Sequence, residues 1–444
     1  MANLMSHSLS YSQESAREYF IKPLASANDI KSIVTVMTDI KGSKKLNFID
    51  SLDKITKAYA QGTSFTTSTG VTITQKTLTV ADMKAEVAQN GKAFLDFVME
   101  SNLLKGVDEN DIGDTLFEQI VMEIYMAGIA RDFNRQLFFG DTVKEAYTSD
   151  APNGTADADY AEYLGLWTRI INAFDDSSIP SSQFLDLNVS TYQTVPAVKQ
   201  VDTGVVTGGS GTLALVINGT TYSEAFDTNI ATTISNFVTS HAATVLAREG
   251  KLVVSGTATD IVVTAGVAGM KQIVTDASTT MDSNIATTTA NVQNTTLKTD
   301  AAKTAFAAAW TKMPTTLRKL FKAEGKFMVT ASVADNYTET IENLNGSDAA
   351  YFTLRDGEKK MAFRGIPILE REDWDEHIEN DFNSVRPHRI LMTLPRNLVV
   401  GLDGASDDTK IESWYEKLTQ NRHVRVEYKA GTQYIHEDYI VAAY

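Results

Sequence analysis

DTLFEQIVMEIYMAGIARDFNRQLFFGD, residues 114–141, decides how the rest of the chain is read. Ile112, Leu116, Ile120 and Ile124 recur every four residues, joined by Phe117, Val121, Phe133 and Leu137. An apolar stripe at that interval marks one face of a helix. The spacing predicts a helix from Asp111 to Phe139, stopped at Gly140. At about 1.5 Å per residue it spans roughly 40 Å, the length of a structural axis.

Upstream, TSFTTSTGVTITQKTLTV (63–80) is Thr-rich and β-prone around Gly70 and predicts an extended hairpin. Its apolar residues, Phe65, Val71, Ile73, Leu78 and Val80, are too few to bury a core of their own. Such a ribbon must lie on another surface. LNFIDSLDKITKAY (46–59) reads as a short amphipathic helix. Residues 1–26 are polar, Ser-rich and without period, so they read as an arm that orders only by docking. Downstream, Tyr160 to Phe174 reads as a helix burying Leu164, Trp167, Ile170, Ile171 and Phe174, ended by DDSSIPSSQ.

From about 185 to 298 the composition shifts to Thr, Val, Ala and Gly, and Tyr222, Phe226 and Phe237 are the aromatic residues of 201–300. GTLALVINGTTYSEAFD (211–227) predicts a hairpin turning at Asn218-Gly219. Residues 228–249 predict a helix with Ile230, Ile234, Phe237 and Val238 on one face, and 251–276 two or three strands. This is a small α+β module inserted in a different host. The host resumes with an Ala-rich helix from Asp300 to Met313, a new turn at Pro314, and a buried strand KFMVT (326–330). Ser332 and Asp335 suggest a capping box. Residues 359–370 around Gly365 and 388–394 read as strands, and Ile411, Trp414, Tyr415 and Leu418 as a helical face capped by Asp407 or Asp408. Val424, Val426 and Tyr428 alternate with charged residues, then Ala430-Gly431 is expected to turn into a terminal hairpin or meander.

The chain has 444 residues, 40 Lys plus Arg against 56 Asp plus Glu, a net charge of −16 and no cysteine. The absence of Cys removes a disulfide scaffold, a thiol nucleophile and Cys-ligated metal. Strong acidity argues against a surface dedicated to gripping nucleic acid. No run approaches the ~20 apolar residues of a membrane span, and Met1–Ser10 lacks a signal-peptide pattern.

The search for chemistry is negative. No two of His7, His241, His377, His388, His423 and His436 have the spacing that puts two ligands on one helix face. His377 in EREDWDEHIEN reads as part of a solvated acidic loop, and His423 and His436 as strand-edge residues near each other. Asp175-Asp176, Asp375-Glu376 and Asp407-Asp408 mark no cleft of the kind paired acid–base carboxylates need. DENDIGD (108–114) lacks the closing glutamate of a calcium loop, and GVVTGGSG (204–211) lacks the lysine of a phosphate loop. No catalytic, cofactor or metal residue is assigned. The densest basic run, KGSKK with Lys41, Lys44 and Lys45, suits a solvated turn or contact with an acidic neighbouring subunit.

With the parts in order, the chain resembles the major capsid proteins of tailed phages, the Hong Kong 97-like fold, and within them those of phages of Bacteroidetes, including the crAss-like group. DTLFEQIVMEIYMAGIARDFNRQLFFGD (114–141), KFMVTASVADNY (326–337), MAFRGIPILERE (361–372), LPRNLVVGLDGASDDTKIESWYEKL (394–418) and VRVEYKAGTQYI (424–435) carry the resemblance; the insertion lies outside it. The resemblance implies an α+β fold with an N-arm over 1–45 and a helix and E-loop over 46–100. It implies a P-domain over 101–184 with spine helix 111–139, the insertion over 185–298, an A-domain over 299–393, and a C-terminal return over 394–444. It implies pentamers and hexamers of an icosahedral shell around double-stranded DNA that is not bound sequence-specifically. The shell would sit in the virion, be made in the bacterial host cytoplasm, and work with scaffolding, portal and decoration proteins but no membrane. Scaffolding is expected to be a separate protein. Subunit contacts are expected at Tyr19, Phe20, Lys41, Lys44, Lys45, Phe65, Val71, Ile73, Lys76, Leu78 and Lys84. Lys76 and Lys84 lie where some relatives cross-link covalently, but no partner is fixed and no cross-link is expected. The competing readings are a tail-tube or sheath protein, a cellular nanocompartment shell of the same fold, a carbohydrate hydrolase and an adhesin built on the insertion.

Overall fold

The computed structural model describes residues 8–10, 32–49, 73–90, 116–148, 151–248, 252–294, 296–343, 351–353, 359–403, 410–416, 418–419 and 421–444. The fold is α+β. The chain runs β1 (Ser8–Ser10), β2 (Thr35–Met37), β3 (Ser43–Ile49), β4 (Ile73–Thr79), β5 (Ala81–Asn90), then helix α1 (Leu116–Phe139). Next come β6 (Glu145–Thr148), β7 (Ala151–Ala156), α2 (Leu166–Asp175) and β8 (Phe184–Leu185). The central part holds β9 (Val201–Val205), β10 (Thr212–Ile217), β11 (Thr220–Ala225), α3 (Ile230–Arg248), β12 (Val253–Thr257), β13 (Asp260–Thr264), β14 (Val274–Asp276) and β15 (Ala286–Thr289). It is followed by α4 (Ala301–Lys312), α5 (Arg318–Glu324), β16 (Lys326–Val329), α6 (Ala331–Asn343), β17 (Tyr351–Thr353), β18 (Lys359–Phe363) and β19 (Ile366–Glu370). The last elements are α7 (Glu372–Asp381), β20 (Ile390–Thr393), β21 (Leu398–Asp403), β22 (Lys410–Glu416), β23 (Asn421–Tyr434) and β24 (Ile440–Ala443).

The chain divides into two units, the first comprising 1–138, 163–169 and 395–437, the second 139–162, 170–394 and 438–444. In the first unit β23 is the organising strand. It pairs antiparallel with β22 over 421–427 and with β21 over 429–434. It also pairs with β5 over 421–430. Because β5 overlaps both partners along β23, β21 and β22 follow one another on one edge and β5 takes the other. β2 adds parallel to β21, and β1 antiparallel to β22. The helix predicted over 111–139 is present as α1. In its described half the buried stripe is Tyr125, Ile129, Phe133 and Leu137. Its predicted start, 111–115, lies outside the described residues.

The second unit is built on a sheet of order β17-β18-β19-β16-β20-β24-β8. Phe306, Phe321, Phe327, Val329, Ile390 and Met392 form its core with α4 and α6 residues such as Ala305 and Ala334. A separate core, with Leu213, Leu215, Phe237, Val254, Ile261 and Val263, holds the central part together. There β12-β13-β9-β15 form one sheet and β11-β10-β14 another. The hairpin turns at Asn218-Gly219 with both φ values positive, 48° and 83°, as a two-residue turn between twisted strands requires. Leu185, Leu187, Tyr192 and Leu297 pack in the main core, and Phe184–Leu185 pairs with β24.

Several local expectations are corrected. Residues 46–49 are strand, not helix: Leu46 is buried, Asn47 exposed, Phe48 half-buried and Ile49 exposed, a period of two that pairing with β4 rewards. The ribbon's partner for 73–79 is therefore β3, while 50–72 lie outside the described residues. Residues 410–416 are also strand, because β23 offers a full ladder to Lys410–Glu416; Asp407 and Asp408 lie outside the described residues. Ala430-Gly431 is no turn: β23 runs straight through to Tyr434. The helix expected from Tyr160 begins at Leu166. At the start of α6 the Thr330 carbonyl accepts from Val333 and Ala334, and the Ala331 amide donates to the Asp375 carboxylate at 2.6 Å. A residue distant in sequence does the capping assigned to Ser332.

Candidate subunit interface

The ribbon of β3 and β4 is a two-stranded sheet in register from Ser43↔Thr79 to Ile49↔Ile73. Directly paired residues share a face, so the two faces can be read from the register. One face carries Lys44, Leu46, Phe48, Thr74, Lys76 and Leu78. Leu46 and Leu78 are buried there with Ile40, Val80 and Val399. The opposite face carries Ser43, Lys45, Asn47, Ile49, Ile73, Gln75, Thr77 and Thr79, every one of them exposed. Gln75 donates to Asn47 at 2.7 Å across this face. At the last described pair, Ile49 and Ile73 are 65% and 62% exposed. A lone exposed isoleucine is ordinary; a paired, exposed apolar position on an otherwise polar face is a candidate contact.

The base of the ribbon is tied down on its own unit. The Val80 amide donates to the Gly42 carbonyl at 2.9 Å, and the Gln433 side chain to the Thr77 carbonyl at 3.0 Å. Lys76 Nζ lies 2.6 Å from Glu437 and 3.3 Å from the centre of the Tyr434 ring. Phe48 packs on His436, ring centres 4.1 Å apart. Where β4 passes into β5, the chain presses on β23 so closely that a Cβ on Gly431 would stand 2.1 Å from the Thr79 carbonyl oxygen. That contact explains the Ala-Gly pair inside a strand.

β5 continues across β23 with a charged surface. Lys84 lies opposite Glu427, and Glu86 opposite Arg425. Lys84 and Glu86 are 2.9 Å apart, and Arg425 and Glu86 3.2 Å. The hydrogen bond from Lys84, together with both cations, holds the Glu86 carboxyl below its ordinary value. On α1 the Tyr125 hydroxyl donates to the Ala85 carbonyl at 2.7 Å, and burial pushes its pKa up.

Of the expected contact residues, Lys41, Lys44, Lys45, Ile73 and Lys84 are exposed, Lys76 is half-buried and Leu78 is fully buried in the ribbon's own core. Tyr19, Phe20, Phe65 and Val71 lie outside the described residues. Sequence reasoning missed Ile49, which a helical reading of 46–59 hid, and Tyr434 and Glu437, whose meeting with Lys76 depends on folding. The histidines have separate structural surroundings. His423 stacks on Trp414 and lies 3.1 Å from Glu416, whereas His436 sits against Phe48. His377 is on α7, not in a loop, 3.3 Å from Asp381, which also accepts the Tyr160 hydroxyl. His388 meets the Ser332 hydroxyl at 2.9 Å. Among the described residues no group of three or more His, Asp or Glu side chains is arranged to hold a metal ion. No described helix is long and apolar enough to cross a membrane.

No family model matches the sequence, and no curated protein matches it. Solved structures align along nearly the whole chain. One is a chain of the satellite phage P4 procapsid that includes the size determination protein, at 8% identity and TM-score 0.47, covering 98% of this chain and 90% of that one. A second is the capsid of the cyanophage P-SCSP1u, at 12% identity and TM-score 0.40, covering 93% and 86%. A third is the holo-SrpI encapsulin complex of Synechococcus elongatus PCC 7942, at 8% identity and TM-score 0.39, covering 98% and 95%. At such identities and scores the functional reading rests on the chain's own residues and geometry.

Proposed function

We propose that this chain is a shell-forming structural subunit, the major capsid protein of a tailed phage of the crAss-like group or its relatives. It assembles into pentamers and hexamers of an icosahedral virion shell around double-stranded DNA and carries out no chemistry of its own. The observation that carries the reading is the β3–β4 ribbon. One face is seated on its own unit, and the other is exposed at every described position, including the pair Ile49 and Ile73. A two-stranded ribbon is marginal alone, and an exposed face of this kind serves a second molecule. In this reading the ribbon belongs to the E-loop, α1 is the spine helix, the main sheet of the second unit is the A-domain, and 185–298 is an insertion that projects outward. Thr-rich strands suit contacts made by added β pairing. The net charge of −16 suits a container that encloses DNA without gripping it. Scaffolding, portal and decoration proteins complete the particle, which is made in the host cytoplasm.

Electron microscopy of the purified chain, alone and with a scaffolding partner, tests this. Closed shells tens of nanometres across are expected; helical tubes would move the protein to a tail tube or sheath, and cargo-filled cellular shells to a nanocompartment. A dispersed monomer under all these conditions would sink the shell reading.

A further inference from the structure

The main sheet of the second unit carries a basic patch at one end and an acidic helix at the other. β16 and β19 run parallel in the register Phe327↔Ile368, so their starts share one end of the sheet. At that end α5 leads into β16, and the Arg364-Gly365 turn leads into β19, with Arg364 at φ 53° and Gly365 at φ 81°. The segment leading into β16 contributes Lys312, Arg318, Lys319, Lys322 and Lys326 against one acid, Glu324. Three cations converge on one ring: Arg318, Lys322 and Arg364 lie 5.7, 5.8 and 6.0 Å from the centre of Trp310. Trp310 belongs to the main core and is 5% exposed, while Lys319, Lys322 and Arg364 are exposed. In a chain of net charge −16 this is a concentrated basic patch.

The other end of the sheet carries an acidic helix beside Arg371, Arg386 and Arg389. Val329 pairs with both Glu370 and Ile390, so the end of β16, the end of β19 and the start of β20 lie together. α7 bridges β19 to β20 there. Its sequence EDWDEHIEND holds Glu372, Asp373, Asp375, Glu376, Glu379 and Asp381 and neither Lys nor Arg. Some of these work inside the unit: Asp373 pairs with Arg371 at 2.8 Å, Asp375 caps α6, and Asp381 takes the Tyr160 hydroxyl. Glu376 and Glu379 face solvent, as does Asp335 on the first turn of α6. The five residues of β19 put roughly 16 Å between the two ends.

We propose that the basic patch of one copy docks on the acidic helix of the next, with Lys319 and Lys322 facing Glu376 and Glu379. The two surfaces differ, so the contact is head-to-tail, the type that closes into rings or runs on as open filaments. Charge complementarity favours a second copy over nucleic acid. The matching acidic surface is present on the same unit, and the chain's net charge of −16 disfavours a polyanion overall. The inference rests on the shell reading for the ring, but not for the pairing.

Sedimentation of the full-length chain at low and high salt tests it, with K319E/K322E, E376K/E379K and the four-fold combination. All four positions are exposed, so circular dichroism is expected to show each variant folded. Each double variant is expected to raise the concentration for half-assembly about tenfold or more at low salt, and the combination to restore it within about threefold. Double variants that assemble like the wild type, or a combination that is not restored, overturn the pairing. Retention of a short duplex DNA that K319E/K322E abolishes, with no rescue of assembly, reassigns the patch to nucleic acid and overturns it too. Shells indifferent to charge reversal sink this inference alone. Salt-sensitive oligomers rescued by the combination but never closing into shells sink the shell reading alone, and a monomer sinks both.

Discussion

Gly431 and Asp375 show how single residues carry long-range structure. Gly431 lies inside a strand with no need of a left-handed backbone; it is glycine because the Thr79 carbonyl would stand 2.1 Å from a Cβ. That oxygen is backbone and has nowhere to go, so Gly431→Ala is expected to cost about 1–3 kcal/mol through overpacking. Gly42→Ala, with nothing within 4 Å of its Cβ, is the control expected to leave the melting temperature unchanged. Asp375 is pushed above the ordinary carboxylate value chiefly by burial, against the backbone amides of Ala331 and Ser332, which lower it. A folded-state pKa that is raised means the folded protein holds this proton more tightly than the unfolded chain. Its contribution to stability is complete below the ordinary value of 3.8 and is lost as pH rises through the folded value. Asp375→Asn keeps an acceptor for Ala331 without the buried charge. The melting temperature of the wild type minus that of Asp375→Asn is therefore expected to fall as pH rises from 4 toward neutrality, then level off; a flat difference would refute the burial argument. Asp375→Ala removes the cap and is expected to cost about 1 kcal/mol at neutral pH.

At the scale of elements, the β3–β4 ribbon is the part whose behaviour separates folding from assembly. Lys76 holds its base through Glu437 and the Tyr434 ring, each contact worth about 1 kcal/mol at a half-buried site. Lys76→Met should speed amide exchange over 43–49 and 73–79 while the amides of β16 and β20 keep their protection. Ile49→Lys with Ile73→Lys changes only exposed positions and is expected to leave stability within about 0.5 kcal/mol. The same pair is expected to abolish assembly, and light scattering that grows as in the wild type would remove the ribbon from the interface. The ribbon was half legible. Thr-rich β propensity announced 73–79, but LNFI at 46–49 has too few residues to separate a period of two from one of 3.6. Its strand state is decided by a partner more than twenty residues away. The same holds at 410–416, where Trp414 and Tyr415 suit either state and the ladder to β23 decides. Long periodic segments such as α1 and α3 needed no partner to be recognised, and two-residue turn chemistry at Asn218-Gly219 was equally local.

For the whole molecule, the sequence revealed the composition shift near 185–298 but not where the packing changes. Leu187, Tyr192 and Leu297 lie inside the shifted segment yet belong to the main core. Composition averages over a window, whereas membership of a core is decided residue by residue by the strand each flank continues into. The separately packed part is narrower, from Val206 to Met281 by its buried members. A buried polar knot braces it from one side: the Asp202 carboxylate accepts from Gln200, Gln272 and Thr287, the last at 2.6 Å. Such a carboxylate is tolerable because donors surround it, so the knot fixes β9, β15 and the chain before β14 in one arrangement. Two cores with few shared side chains imply that damage to one should not spread to the other. Phe237 is fully buried in the smaller core, and Phe237→Ala is expected to cost about 3–5 kcal/mol there. Hydrogen exchange should then rise across β9 to β15 and α3, while the amides of β16, β20 and β24 stay protected. Phe327→Ala, equally buried in the main core, should produce the reverse pattern. Loss of protection in both cores from either change would mean that the two parts fold as one cooperative unit.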